Sequence, residues 1–115
     1  MDELIVKILQ EAYGYPVKLQ GSFKPNESYP NHFFTYWNNS ADGNSFYDNN
    51  EGAIVWDYDL NFYSCDPQLV NTKLLEAKVL LKSKGFIVNG GGYDVASDEP
   101  THTGRGINIK YRQEQ

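Results

Sequence analysis

Asp57 and Asp59 stand two residues apart in the stretch AIVWDYDLNFY, residues 53 to 63. Two carboxylates can divide general acid and general base work when a cleft drives their pKa values apart. On a strand, however, side chains at i and i+2 stand side by side on one face and do not oppose each other across a cleft. Lys110 and Arg112 have the same spacing near the end of the chain. If their strand neighbours the first, the four residues form a cross-strand charge face. The expectation is therefore a structural or surface role for Asp57, Asp59, Lys110 and Arg112. A small hydrolase using either aspartate is the competing reading.

Other candidate motifs fail on spacing. In NNSADGNSFYDNNEG, residues 38 to 52, counting Asn38 as the first position of a calcium loop puts Gly43 at the sixth but Asn49 at the twelfth, where a Glu is needed. A binding loop is the better reading, with Asp42, Gly43, Asn44, Asp48 and Glu51 as its contact residues. NGGGYDV has three glycines but no following Lys-Ser/Thr and no helix start, so a bulge or hinge is expected there and not a phosphate cradle. His32 and His102 have no Cys or His partner at ligand spacing. Cys65 is the only cysteine; it forms no intrachain disulfide and reads as a small hydrophobe beside a strand. No cofactor or metal is implied.

The elements that must position these residues follow from periodicity. Leu4, Ile5, Ile8, Leu9 and Ala12 fall on one helical face, with Asp2 and Glu3 at its positive start and Gly14 and Pro16 closing it. VKLQGSF alternates Val17, Leu19 and Phe23 against Lys18, Gln20 and Ser22 and predicts a strand, and KPNESYPN predicts a loop. HFFTYWN predicts a strand that is apolar on both sides, Phe34 and Tyr36 on one and Phe33, Thr35 and Trp37 on the other, so both faces should be covered. In the strand 53–63, Ile54, Trp56, Tyr58, Leu60 and Phe62 face inward. A helix then runs from an Asp66 cap and Pro67 to Gly85, with Val70, Leu74, Ala77 and Leu81 as its core stripe. FIVNG and INIKYR predict two last strands, with Ile107, Ile109 and Tyr111 inward.

The order is α-β-β-β-α-β-β: a single α+β domain over residues 1–115, with a mainly antiparallel sheet and its helices on one face. Long polar connections are expected at 38–52 and 90–106. Leu75 and Val79 lie opposite the core stripe of the second helix. Either the first helix covers them or they form a subunit interface, with Trp37 as a further candidate contact.

Composition limits the partners. The 115 residues include nine Tyr, six Phe and two Trp, which suits strands and contact surfaces. Ten Lys and Arg against fifteen Asp and Glu leave a net charge of −5, which opposes nucleic-acid binding through phosphates. The first residues lack the basic start and solid apolar run of a signal peptide, and no stretch approaches the ~20 apolar residues of a membrane span. A soluble chain made inside the cell, with no membrane partner, is expected.

Several words of this order together resemble the phage tail terminator family, also called tail completion or minor tail proteins. They are FFTYWNN with its Asn/Asp-rich continuation, the strand IVWDYDLNFYSCDP ending in an Asp-Pro helix cap, LLKSKGF, a Gly-rich stretch and the final GINIKYR. The resemblance spans about residues 4 to 112. It implies a small, non-catalytic α+β subunit that closes into a homo-oligomeric, hexameric ring on the end of the tail tube. Such a ring halts tube polymerisation, offers a docking face to the head connector protein, and lets genomic DNA pass without specific binding. The implied location is the virion, at the tail end or neck, after synthesis in the bacterial host cytoplasm. A ring interface would cover Leu75 and Val79 or the outer side of the strand around Trp37. Acidic residues, those of the 38–52 loop or Asp57 and Asp59, would line the channel. A neck adaptor or head-completion protein is the nearest alternative, and a monomeric module gripping a peptide or sugar is a further one.

Overall fold

The structure is a computed structural model that describes residues 1–20, 30–43, 53–97 and 100–114. Chain order is α1 (Asp2–Tyr13), β1 (Val17–Leu19), β2 (His32–Gly43), β3 (Ala53–Ser64), α2 (Pro67–Ser83), β4 (Ile87–Val88), β5 (Tyr93–Val95) and β6 (Thr103–Glu114). The strands form one sheet in the order β1-β2-β3-β6-β4, with β5 also paired to β6. All pairings are antiparallel except β1 with β2. This is an α+β fold with the expected element order and one additional short strand, β5.

Both helices pack on one face of the sheet. Ile5, Ile8 and Leu9 of α1 and Val70, Leu74, Ala77 and Leu81 of α2 are buried. They meet Phe34, Tyr58, Leu60, Phe62, Ile107 and Ile109 from the inward parity of the strands. The stripe 70, 74, 77, 81 has the helical period, and the alternation in β3 has the strand period, so the two patterns are complementary by construction. Each fully buried side chain of this size contributes on the order of 2 kcal/mol of hydrophobic stabilisation. Leu4 and Ala12, expected inward, are exposed at the margin of α1 and line a groove of about 450 Å³ against α2.

The helix ends follow from local chemistry. Asp66 accepts a hydrogen bond from the Gln68 amide at 3.0 Å, and Pro67 takes the first position, where no amide donor is required. Gly14 ends α1 in the left-handed conformation at φ 71°, which only glycine adopts without strain. The Tyr58 phenol donates to Asp2 and fastens the start of α1 to the centre of the sheet.

Three strand boundaries differ from expectation. β2 continues to Gly43, so Asp42 and Gly43 lie on a strand paired with Val55 and Ile54 and not in a loop. The polar composition of 38–43 hid this, together with a bulge at Asn39 that shifts the register between Asn38 and Ser40. The expected loop 90–106 contains β5 and the start of β6. β4 and β5 both pair with the same edge of β6, separated by the glycines of 90–92. They are in effect one edge strand interrupted by a bulge, the role expected of these glycines. Gly92 has φ 88°, and a Cβ there would lie 2.7 Å from the Gly106 carbonyl. Third, β1 stops at Leu19, which shares the inward parity of Val17 but is half exposed. Phe23, Ser22, most of KPNESYPN, and Asn44, Asp48 and Glu51 lie outside the described residues.

Candidate interaction surfaces

The face of the sheet away from the helices carries Asp57 and Asp59. The register sets Asp57 opposite Lys110, Asp59 opposite Asn108, Asn61 opposite Gly106 and Tyr63 opposite Gly104. On the other side, Asp59 is opposite Trp37, Asn61 opposite Thr35 and Tyr63 opposite Phe33. The two carboxylates share one amide: Asn108 Nδ2 donates to Asp57 Oδ1 at 2.6 Å, to the Tyr58 carbonyl at 3.2 Å and to Asp59 Oδ1 at 3.4 Å. Asn39, the extra residue of the bulge, also donates to Asp57 at 3.2 Å. Lys110 Nζ stands 4.0 Å from Asp57 Oδ2. Arg112 pairs instead with Glu114 at 3.1 Å, and its strand partner is Val55. The expected charge face is therefore one ion pair, Asp57 with Lys110, with Asp59 held by an amide and Arg112 engaged elsewhere.

Next to this network the face becomes aromatic and tightly packed. Phe33 and Tyr63 stack with centroids 5.1 Å apart, and the His102 ring tilts over Phe33 at 5.8 Å. Phe33 is 2% exposed although it points away from the helices, so this end of β2 is covered on both faces, as its sequence suggests. Gly104 and Gly106 make the cover possible. A Cβ at Gly104 would lie 2.5 Å from the Tyr63 ring, and one at Gly106 would lie 2.9 Å from the Tyr93 ring. Bare backbone on β6 thus lets Tyr93 and Val95 of β5 lean over it toward β3.

Between Trp37 and Tyr93 lies a cavity of about 380 Å³ lined by Gln20, Trp37, Asp59, Asn61, Tyr93 and Val95. Asn61 donates to Gln20 Oε1 at 3.0 Å, and Thr35 donates to the same oxygen at 3.3 Å. Burial raises the Tyr93 pKa, with further contributions from the Asp59 charge, a hydrogen bond to Asp59 and the Asp57 charge. Sequence reasoning missed this cavity because Tyr93 fell in an assumed loop. The signal was present in the alternation of Gly104 and Gly106 against Tyr93 and Val95.

A second surface lies on α2. Val79 is 69% exposed and Leu75 39%, so α1 does not cover them. Val79 lines a groove of about 590 Å³ between the helices with Ala12, Tyr13, Glu76, Leu80 and Ser83. Trp37, half exposed, is on the opposite side of the sheet. The three apolar candidates therefore form two surfaces on opposite sides of the molecule.

Two polar groups have limited chemical scope. His32 Nδ1 and Ser64 Oγ are 2.7 Å apart, but Ser64 is 0% exposed and its hydroxyl also accepts the Asp66 amide. The pair ties the start of β2 to the corner before α2 and has no access to a substrate. Cys65 is exposed, contrary to its expected packing as a small hydrophobe, because the chain turns outward there into the Asp66 cap. Among the described residues no cluster of three or more His, Cys, Asp or Glu could hold a metal ion, and no helix is long and apolar enough to cross a membrane. In comparisons with known proteins, the chain matches no family model and no curated protein.

Proposed function

We propose that this chain is a structural subunit of the phage tail terminator type. Copies of it close into a ring, hexameric by the sequence resemblance, that caps the tail tube, stops its growth and receives the head connector within the virion. The observation that carries this reading is the uncovered apolar strip of α2, Leu75 and Val79, beside a groove between the two helices. Exposed apolar side chains next to a groove favour contact with another protein surface. The three long strands add to this. Twelve residues of strand extend about 40 Å, whereas the 17 residues of α2 cover about 25 Å, so the sheet outreaches its helix. In a ring, α2 would meet the neighbouring subunit and the overhanging strands would reach the tube or connector. The reading is non-enzymatic, and DNA would pass an acidic lining supplied by the 38–52 segment or by Asp57 and Asp59.

Light scattering of the purified chain with and without tail tubes, followed by electron microscopy of tube ends, tests this. Ring-sized caps on tube ends are expected for the unaltered chain. Val79→Glu together with Leu75→Glu should abolish the caps while circular dichroism stays unchanged. Chains that remain monomeric with tubes present, or caps that survive both substitutions, would refute it.

A further inference from the structure

The cavity on the bare sheet face has a chemistry that a ring interface on α2 does not use. One of its walls is Trp37, 51% exposed, and another is Tyr93, 44% exposed. Between them are the Asp59 carboxylate and the Asn61 amide. Several donors around it are already engaged, the Tyr93 hydroxyl on Asp59 among them. Asn61 Nδ2 serves Gln20 and Tyr63, Asn108 Nδ2 serves Asp57, Asp59 and the Tyr58 carbonyl, and the Thr35 hydroxyl serves Gln20. Acceptor capacity remains at Asp59 and at Asn61 Oδ1. Among the described residues no cation pairs with Asp59, since Lys110 stands by Asp57 and Arg105 is bound to Asp94 at 2.8 Å. Asn61 is 7% exposed, and its Oδ1, lying against Gly106 close to the Tyr93 ring, accepts no hydrogen bond.

A buried acceptor without a donor costs about 1–3 kcal/mol, and a group that supplies the donor recovers part of that. Two aromatic walls favour a flat or cationic occupant, and a carboxylate whose partners are neutral donors favours a cation. A guanidinium meets every condition. It is planar, it stacks on aromatic faces, it has five donors and no acceptor, and it is less strongly hydrated than an ammonium. A neutral sugar fits less well, because it leaves the Asp59 charge without a counter-charge. The geometry points to a recognition site for an arginine side chain, presented by a partner protein, between Trp37 and Tyr93 with its guanidinium on Asp59. A donor that moves the edge of the Tyr93 ring aside also supplies the bond that Asn61 Oδ1 lacks. The glycine bulge before β5 gives Tyr93 a backbone able to make that adjustment. This site does not draw on the α2 interface of the ring reading, since it lies on the other face of the sheet.

The test is a two-dimensional NMR titration of the whole chain with N-acetyl-arginine amide, following the Trp37 indole and the Asn61 and Tyr93 amides. Saturable shifts at those three positions are expected, with a dissociation constant on the order of 1 mM for a single side chain. N-acetyl-citrulline amide, the neutral isostere, should bind at least about tenfold more weakly, and added salt should weaken the arginine response. Asp59→Asn and, separately, Trp37→Ala should each reduce affinity about tenfold or more, with the undisturbed part of the spectrum reporting that the fold is intact. Trp37 is half exposed, so its replacement keeps the test valid should Asp59→Asn perturb folding. Equal binding of citrulline and arginine would overturn the proposal. So would unchanged affinity in both variants, or shifts at these positions with a neutral disaccharide and none with arginine.

Discussion

The two faces of the sheet are held by different physics. On the helix side, Phe34, Tyr58, Leu60, Phe62, Ile107 and Ile109 meet the apolar stripes of α1 and α2, and area removed from water is the dominant favourable term. On the other side, Asp57, Asp59, Asn61 and Asn108 form a polar lattice that gives way to Phe33 and Tyr63 only where glycines leave room. The first face tolerates exchange of one hydrophobe for another of similar volume, because its cohesion is non-directional. The second depends on particular donors and on particular missing side chains. A surface of that kind is costly to specify by burial alone, and it is the face on which specific recognition is possible.

Substitutions can separate the two. The largest effect is expected at the helix side: Leu74→Ala removes a fully buried side chain and should lower unfolding free energy by about 3 kcal/mol in urea denaturation. Gly106→Ala on the opposite face adds one methyl group yet should cost about 2 kcal/mol, because it drives Tyr93 and Asn61 apart. If the glycine change were neutral while Leu74→Ala remained costly, the packing of β5 over β6 would be irrelevant to stability. Asn108→Ala, which leaves Asp57 and Asp59 without their shared donor, should cost about 1 kcal/mol, and the loss should grow at low ionic strength as the carboxylates repel.

A smaller effect concerns pH on the helix side. Burial, then the charges of Glu76 and Tyr15, push the Tyr13 phenol up to about 12, and burial together with Asp2 raises Tyr58 further. A pKa raised above the unfolded value of about 10 means that the neutral phenol is favoured in the fold. Its contribution is complete below about pH 10 and is lost as pH rises through the folded value. Denaturation midpoints should therefore be flat near neutrality and fall above about pH 10, and Tyr13→Phe should flatten that fall. Val79→Ser, on the uncovered strip, should change monomer stability by less than about 0.5 kcal/mol.

The difference between the faces also explains what could be read in advance. The helix side was legible because its elements have unmixed periods. The stripe 70, 74, 77, 81 and the inward residues of β3 from Tyr58 to Phe62 are buried as the pattern requires. The bare side was only partly legible. The pairing of Asp57 with Lys110 follows from parity once β3 and β6 are neighbours, but Arg112 and Asp59 do not extend it. β2 beyond Asn38 was concealed by a bulge that reverses the face of every later residue, so a period of two cannot be followed through it. β5 was concealed because three residues bounded by glycines and polar residues have no period of their own. Its place is defined by the bare positions of β6, information that lies ten residues further along the chain.

The position of β6 in the sheet has a consequence for how the chain acquires its structure in time. β6 follows the other described strands in sequence yet joins β3 on one edge to β4 and β5 on the other, and among the described residues β4 and β5 pair with no other strand. Until it emerges, a nascent chain has a hairpin of β2 and β3 and two short segments without partners, with one wall of the α2 core missing. Closure of the domain is therefore a late event that depends on contacts between residues about 50 positions apart in sequence, as between Tyr58 and Ile109. A β2–β3 hairpin that lacks β6 exposes an aggregation-prone edge, and the rate at which β6 docks on it would govern the yield of folded protein.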